Sequence, residues 1–343
     1  MKISIAAKIL LSSVLFSSGV LSLRLRKQAK TGFLILMYHR IIPRQEALGY
    51  VQEGMYVEPD TFNIHLQFLQ KYFTVVPITE LASGFKQKIG NVKNKPVCVL
   101  TFDDGWLDFY RYAFPILKAH QMPATVFLPT DFIGSSTWFW TDRLAYLLMQ
   151  KPKVQKTAEK VKFSSISIVN QLENLKGSSG SSLESAIEML KPLHIDEINK
   201  IIKELSVRWR LKPGPQGRGF LSWEEVRKMS HSGLISYGSH TATHSILPTM
   251  SEEKIKEELK NSKKKLIAEK VVNPSYVTFC FPNGNFNKKI AGMVKDSGYS
   301  LAVTTRKGWN DKQPNPFTLR RIGVHQDMSS TQALFGCRIA NIF

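Results

Sequence analysis

Asp103 and Asp104 stand side by side in TFDDGW (101–106), directly after the apolar run PVCVL. Adjacent carboxylates repel, and one resists ionising unless something separates their roles. A metal, a proton-transfer step or a solvated turn would each do so. A second polar cluster, GSHTATHS (238–245), carries His240 and His244 four residues apart after the run LISY. That spacing lets both rings face one way on a helical turn, or converge from a tight loop, and imidazole suits zinc and its neighbours. One Asp and two His make three ligands and leave a fourth position for water, the arrangement of a catalytic zinc site rather than a structural one. The other Asp is then free to act as a base on that water. A cation beside the pair also offsets the repulsion, so both carboxylates stay ionised near neutral pH. A third cluster, FCFPNGN (279–285), ends another apolar run. Pro282 and Gly284 shape a turn there, and such a turn can aim backbone N–H groups at an oxyanion.

Something must bring three clusters, spread over some 180 residues, to one place. Short apolar, β-branched runs recur at 33–41, 73–78, 96–102, 124–130, 234–240, 276–282, 301–305 and 319–324, with helical segments between most of them. Alternating strands and helices with near-continuous apolar strands imply a parallel sheet covered on both sides, and seven or eight such units imply a closed or distorted (β/α) barrel. Each polar cluster follows an apolar run, so all three fall at the C-terminal rim, where such barrels carry their active sites. Ser222 with Glu225, and Thr249 with Glu252, read as capping boxes ahead of helices. The second of these helices is acidic at its start and basic at its end, as the helix dipole favours, so its Lys run reads as a solvated face. Residues 151–219 break the pattern with the polar KGSSGSS, two helical stretches (LESAIEMLK and IDEINKIIKELSVRW) and KPGPQGRG. They read as a helical insertion within a catalytic domain spanning 31–343.

The chain has 343 residues, 43% of them hydrophobic and 22% charged, which is a globular composition and not a disordered one. Lys and Arg number 47 against 27 Asp and Glu, a formal charge of +20. Such a surface favours anionic partners: phospholipid headgroups, acidic polymers or nucleic acid. No helix-turn-helix, zinc-finger or RNA-binding aromatic motif is visible, so nucleic acid is not an expected partner. Cys98, Cys280 and Cys337 are far apart, which argues against a disulfide framework and a cysteine zinc site. Residues 1–30 run from a short basic start through an apolar stretch to Arg24, Arg26, Lys27 and Lys30. They read as a secretory signal cut near Ser18–Gly19, as a retained anchor, or as a basic segment lying on a membrane. The expected location is therefore membrane-associated, secreted or in the cell envelope.

In this order, the three clusters resemble the polysaccharide deacetylases, the chitin-deacetylase-like carbohydrate esterases of family 4. Thr101 to Gly105 match the family's TFDDG throughout, and His240, Thr241 and His244 match its H-[ST]-x-x-H, 136 residues further on. Pro282 and Gly284 match its x-P-[YFW]-G turn. LMYHRI (36–41) and PATVFLPTDFIG (123–134) are similar to its exopolysaccharide-modifying members. The resemblance covers about residues 33–325 and implies a distorted (β/α) barrel. It further implies that Asp103 is the general base, that Asp104, His240 and His244 hold a divalent metal, zinc above all, and that the backbone N–H at Asn283 helps bind the oxyanion. Asn283 stands where the family has an aromatic. The Arg that many members carry just before the motif-three proline, and that usually orients the base, is absent, with Cys280 near its place. The late Leu-x-His that supplies the general acid has no clear match; His325, in RRIGVHQD, is the candidate, and His39, in MYHR, the second.

The implied activity is removal of N-acetyl groups from hexosamine residues of an acetylated polysaccharide, zinc-bound water attacking with Asp103 as base. The alternative is a catalytically weakened carbohydrate-binding or polysaccharide-assembly protein, against which the intact Asp103, Asp104, His240 and His244 argue.

Overall fold

The computed structural model describes residues 5–47, 51–52, 54–82, 95–151, 166–175 and 180–343. Seven strands form a closed parallel barrel: β1 (Gly32–Tyr38), β2 (Val97–Phe102), β3 (Ala124–Leu128), β4 (Ile235–Ser239), β5 (Thr278–Cys280), β6 (Leu301–Lys307) and β7 (Leu319–Gly323). Each pairs with the next, and β7 closes onto β1 through Leu36 opposite Ile322. The run at 73–78 yields only Thr74–Val75, paired in parallel with Val97 and Cys98 at the start of β2, while β3 pairs with Thr101 and Phe102 at its end, so the run adds no strand to the ring. The seven-or-eight expectation therefore resolves to seven.

The strands are apolar on both faces because helices cover the outside while side chains fill the inside. Alternate residues Phe33 and Ile35 on β1, Val97 and Val99 on β2, and Leu301 and Val303 on β6 pack in one buried cluster with Phe127, Cys280 and Leu319. Gly238 of β4 makes room for this packing, since a Cβ there would lie 2.5 Å from the Phe127 ring. On β2 the same period of two carries on from Val97 and Val99 through Thr101 to Asp103. Asp103 thus continues an inward-facing row at the strand's C-terminal end.

The chain divides into two compact units. One comprises residues 1–43, 54–135 and 220–343 and contains the barrel; the other comprises 44–53 and 136–219. In the second, Leu144, Leu147, Leu172, Ile198, Ile201, Ile202 and Leu205 form a separate apolar core. They come from helices Trp140–Gln150, Ile166–Asn174 and Ile195–Trp209. The first two of these helices escaped the sequence reading. Of KGSSGSS, residues 176–179 lie outside the described residues.

Ser222 and Glu225 form the expected reciprocal capping box. The helix Glu252–Ala268 is capped by Ser251, whose side chain accepts from Lys254 N–H, and not by Thr249. Pro248 draws Leu247–Thr249 into a separate 3-10 turn, which moves the helix start two residues on. At the N-terminus, helices Ile5–Ser17 and Val20–Ala29 meet at 76°. No single helix among the described residues is long and apolar enough to cross a membrane; this bent pair together passes that test by length and composition only. Leu21 and Leu25 are buried, and Arg24 Nε donates to the Ala340 carbonyl at 2.9 Å.

Candidate metal and catalytic site

The two carboxylates at the end of β2 point into different chemistry. Asp104 sits in the left-handed region at φ 75°, which turns its side chain away from that of the preceding residue. Its Oδ1 lies 3.4 Å from His240 Nε2 and 3.2 Å from His244 Nε2, and its Oδ2 accepts from the Trp106 indole N–H at 3.0 Å. His240 Nδ1 is 2.8 Å from the Cys280 carbonyl, so Nδ1–H donates there and Nε2 is turned toward Asp104. Burial raises the Asp104 carboxyl, but its hydrogen bonds to His240 and His244 outweigh this and hold it well below the usual carboxylate range. One oxygen and two imidazole nitrogens, converging within 4.8 Å of one another, are a donor set suited to zinc.

Asp103 is 3% exposed and faces Arg321 of β7. Arg321 Nη1 donates to Oδ1 and Nη2 to Oδ2, both at 2.7 Å. The guanidinium also donates to the Thr304 carbonyl, to Thr101 Oγ1 and to Cys280 Sγ. All five of its N–H donors are used, which is what a fully buried Arg requires. Burial raises the Asp103 carboxyl, and the Arg321 charge and hydrogen bonds reverse this, leaving it below the usual range. Burial pushes the Cys280 thiol up, so it stays protonated and lies 3.5 Å from Asp103 Oδ2 as a donor. Asp103, His240 and Cys280 also cluster closely enough for a cation. That group is the poorer one: its carboxylate is already in the Arg321 fork, and His240 Nδ1 is given to a carbonyl.

Arg321 was not singled out in the sequence. Its signal was there: in LRRIG, Leu319 and Arg321 share the inward face at a period of two. Trp106 was missed as well, and nothing but its place after the DDG marks it. Behind it, Arg40 stacks on the Trp106 ring at 4.4 Å and its Nε donates to the buried Asp108 at 2.6 Å.

Asn283 occupies the turn after β5 at φ 55°, a conformation Asn tolerates better than an aromatic. Its side chain donates to Asn285, while Gly284 N–H and Asn285 N–H are taken by Phe281 and Pro282 carbonyls. Asp104, Thr241, His244 and Asn283 are four of the eight non-glycine residues with positive φ among the described residues. Such conformations cost energy, and their concentration in the three polar clusters marks a functional site. Gly105 (φ 63°) is fixed by contact as well, since a Cβ there would lie 2.7 Å from Leu128.

His39 lies beside Asp103, with Nε2 4.0 Å from Asp103 Oδ2, and burial lowers its pKa from the ordinary value. His325 begins the short helix Gln326–Ser329 just beyond β7, and its ring is hydrogen-bonded to Asp327. The structure thus brings Asp103, Asp104, His240, His244 and His39 together, while the contacts of His325 run to its own helix.

Comparison with known proteins identifies the family. Residues 90–302 match the model of the family described as polysaccharide deacetylase. The chain is 22% identical over 311 residues to YxkH of Bacillus subtilis strain 168, a protein named for the same family, covering 90% of this chain and 76% of YxkH. Among solved structures it resembles the Streptococcus pyogenes deacetylase PplD in complex with acetate, at 20% identity and TM-score 0.56. It also resembles IcaB from Ammonifex degensii, at 18% identity and TM-score 0.55. Each covers 89% of this chain and 97% of the other.

Proposed function

Because the chain belongs to the polysaccharide deacetylase family, hydrolases that act on amides, we propose that it is metal-dependent and removes N-acetyl groups from hexosamine residues of a polysaccharide. The observation that carries this reading is the separation of two adjacent carboxylates, Asp103 into the Arg321 fork and Asp104 onto two histidines. In this reading Asp104, His240 and His244 hold a divalent cation, with zinc the best match to the donor set. When bound, it supplies an acidified water and polarises the acetyl carbonyl.

The remaining work falls to side chains. Asp103 takes the proton of the attacking water. Its Oδ1 accepts one hydrogen bond among the described residues, against two at Oδ2, so Oδ1 keeps the freer lone pair. Arg321 keeps that carboxylate ionised and fixed in plane. The Asn283 backbone N–H, unpaired within its turn, stabilises the developing oxyanion. His325, paired with Asp327, gives the leaving amine its proton. The Arg missing beside the motif-three proline no longer favours a weakened binding protein, since Arg321 reaches the base from another strand.

Acetate release from chitin oligomers, poly-N-acetylglucosamine and peptidoglycan fragments tests the reading. Turnover should vanish after dialysis against a chelator and return with zinc. Chelator-resistant turnover would refute metal dependence, and release from none of the three would refute the substrate class.

We also propose that the protein associates with a membrane surface. The support is the pairing of exposed Ile5, Leu10, Val14 and Leu23 with the nearby Arg26, Lys27 and Lys30. Sedimentation with anionic but not zwitterionic vesicles checks it, and no sedimentation with either would overturn it.

A further inference from the structure

Glu258 is a carboxylate in an apolar row. On the helix Glu252–Ala268 it shares the buried face with Ile255, Leu259, Ser262 and Leu266 and is 8% exposed. No Lys, Arg or His pairs with it among the described residues. Its partners are instead the segment between the two site histidines. Oε2 accepts from Ala242 N–H at 2.8 Å and Thr243 N–H at 2.9 Å, and Oε1 accepts from Thr243 Oγ1 at 2.7 Å. One turn further along the same face, Ser262 Oγ lies 2.7 Å from Ser239 Oγ, which accepts from Thr241 N–H at 3.2 Å. Three successive amides, those of Thr241, Ala242 and Thr243, are thus held by acceptors that one helix face organises.

The loop needs such a hold. Thr241 and His244 both have positive φ, at 64° and 58°, and strained residues persist only where their surroundings over-determine them. A buried carboxylate accepting two amides and a hydroxyl is a strong, directional acceptor. It sets the path of the chain from His240 to His244, and so the separation of their Nε2 atoms. We infer that Glu258 is a positioning residue for the metal site: it fixes the His240–His244 loop in the ligating geometry. This rests on the reading that those histidines hold a divalent cation.

The test is zinc affinity of the full chain, measured by competition with a chromophoric chelator. The parent is compared with Glu258→Gln, with Thr243→Val, which removes one of the three bonds, and with Glu257→Gln, an exposed neighbour on the same helix. Glu258→Gln should weaken zinc binding about 10- to 100-fold, the range for groups that orient metal ligands. Thr243→Val should weaken it several-fold and Glu257→Gln not at all. The absorption spectrum of the cobalt form should change in Glu258→Gln, as a merely structural role would not require. Parent-like zinc affinity and cobalt spectrum in Glu258→Gln overturn the inference. Should that variant fail to fold, parent-like affinity in Thr243→Val overturns it. A parent that binds no zinc refutes instead the metal reading beneath it.

Discussion

Arg321, on the last barrel strand, grips Asp103, at the end of the second, through two parallel hydrogen bonds of 2.7 Å. The two residues are 218 positions apart in sequence, and the strands that carry them flank the same neighbour, β1. The fork does two things that a point charge would not. It fixes the carboxylate plane, and it holds the Asp103 pKa down against a burial effect of opposite sign.

Arg321→Lys keeps a cation but loses the fork. Zinc content should stay at the parent level, because none of the three proposed ligands touches Arg321. The kcat should fall on the order of 10–10²-fold, a part of what a positioned base contributes. Losing the bidentate contact lets the Asp103 pKa rise, so the acid limb of the pH–rate profile should move to higher pH. An unshifted acid limb would show that Arg321 does not tune the base.

The two adjacent carboxylates should separate cleanly in their variants. Asp104→Asn, like His240→Ala and His244→Ala, should lose most of its zinc. Asp103→Asn should retain zinc and lose about 10²–10⁴ in rate. It also leaves the buried Arg321 charge without its counterion, which lowers Tm, so zinc is counted against folded protein. Equal zinc content in Asp103→Asn and Asp104→Asn would defeat the division of roles.

The parts of this site that follow strands were legible, because apolar runs locate strands and polar residues just beyond them fall at the rim. Asp103, Asp104, His240 and His244 came that way. Arg321 did not, because it lies inside a strand, and a buried Arg announces itself only once its partner is known. Glu258 was hidden by its surroundings: in EEKIKEELKNSKKK it is one acidic residue among many. Only packing shows which of them faces inward. The Thr249 cap failed for a local reason, since Ser251 can cap equally well and Pro248 prefers the turn before it. The short strand at Thr74–Val75 shows that an apolar run need not join the ring it resembles.

His65 gives the fold a pH dependence separate from the site. It is fully buried, with Nε2–H donating to the Ser329 carbonyl, Nδ1 facing the Tyr38 hydroxyl, and its ring stacked on Phe335. Burial lowers its pKa from 6.5 to about 4. The unfolded chain therefore binds the proton first as pH falls. Stability from this group is complete above pH 6.5 and is lost between 6.5 and about 4, by at most about 3 kcal/mol. Asp103 and Asp104 titrate lower, so their contribution is lost only below about pH 4. Denaturant melts of His65→Gln should show a flatter stability curve than the parent between pH 6.5 and 4. Parallel curves would assign the acid sensitivity elsewhere.

The amine released from an acetamide is a poor leaving group until protonated, so a proton donor must stand on its side of the reacting carbon. His39 is close to Asp103, but burial lowers its pKa, which favours the neutral ring at working pH and suits it poorly as a donor. His325 emerges beyond β7, four residues after Arg321, with its ring hydrogen-bonded to Asp327. His325→Ala should therefore lower kcat on N-acetylated oligosaccharides on the order of 10²-fold. It should barely affect acetate esters of activated phenols, whose leaving groups depart without a proton. His39→Ala should slow both substrate classes alike, since its nearest site contact is the base. If instead His39→Ala is selective for the amide and His325→Ala is not, the acid is His39, and the His325–Asp327 pair serves only to start its helix.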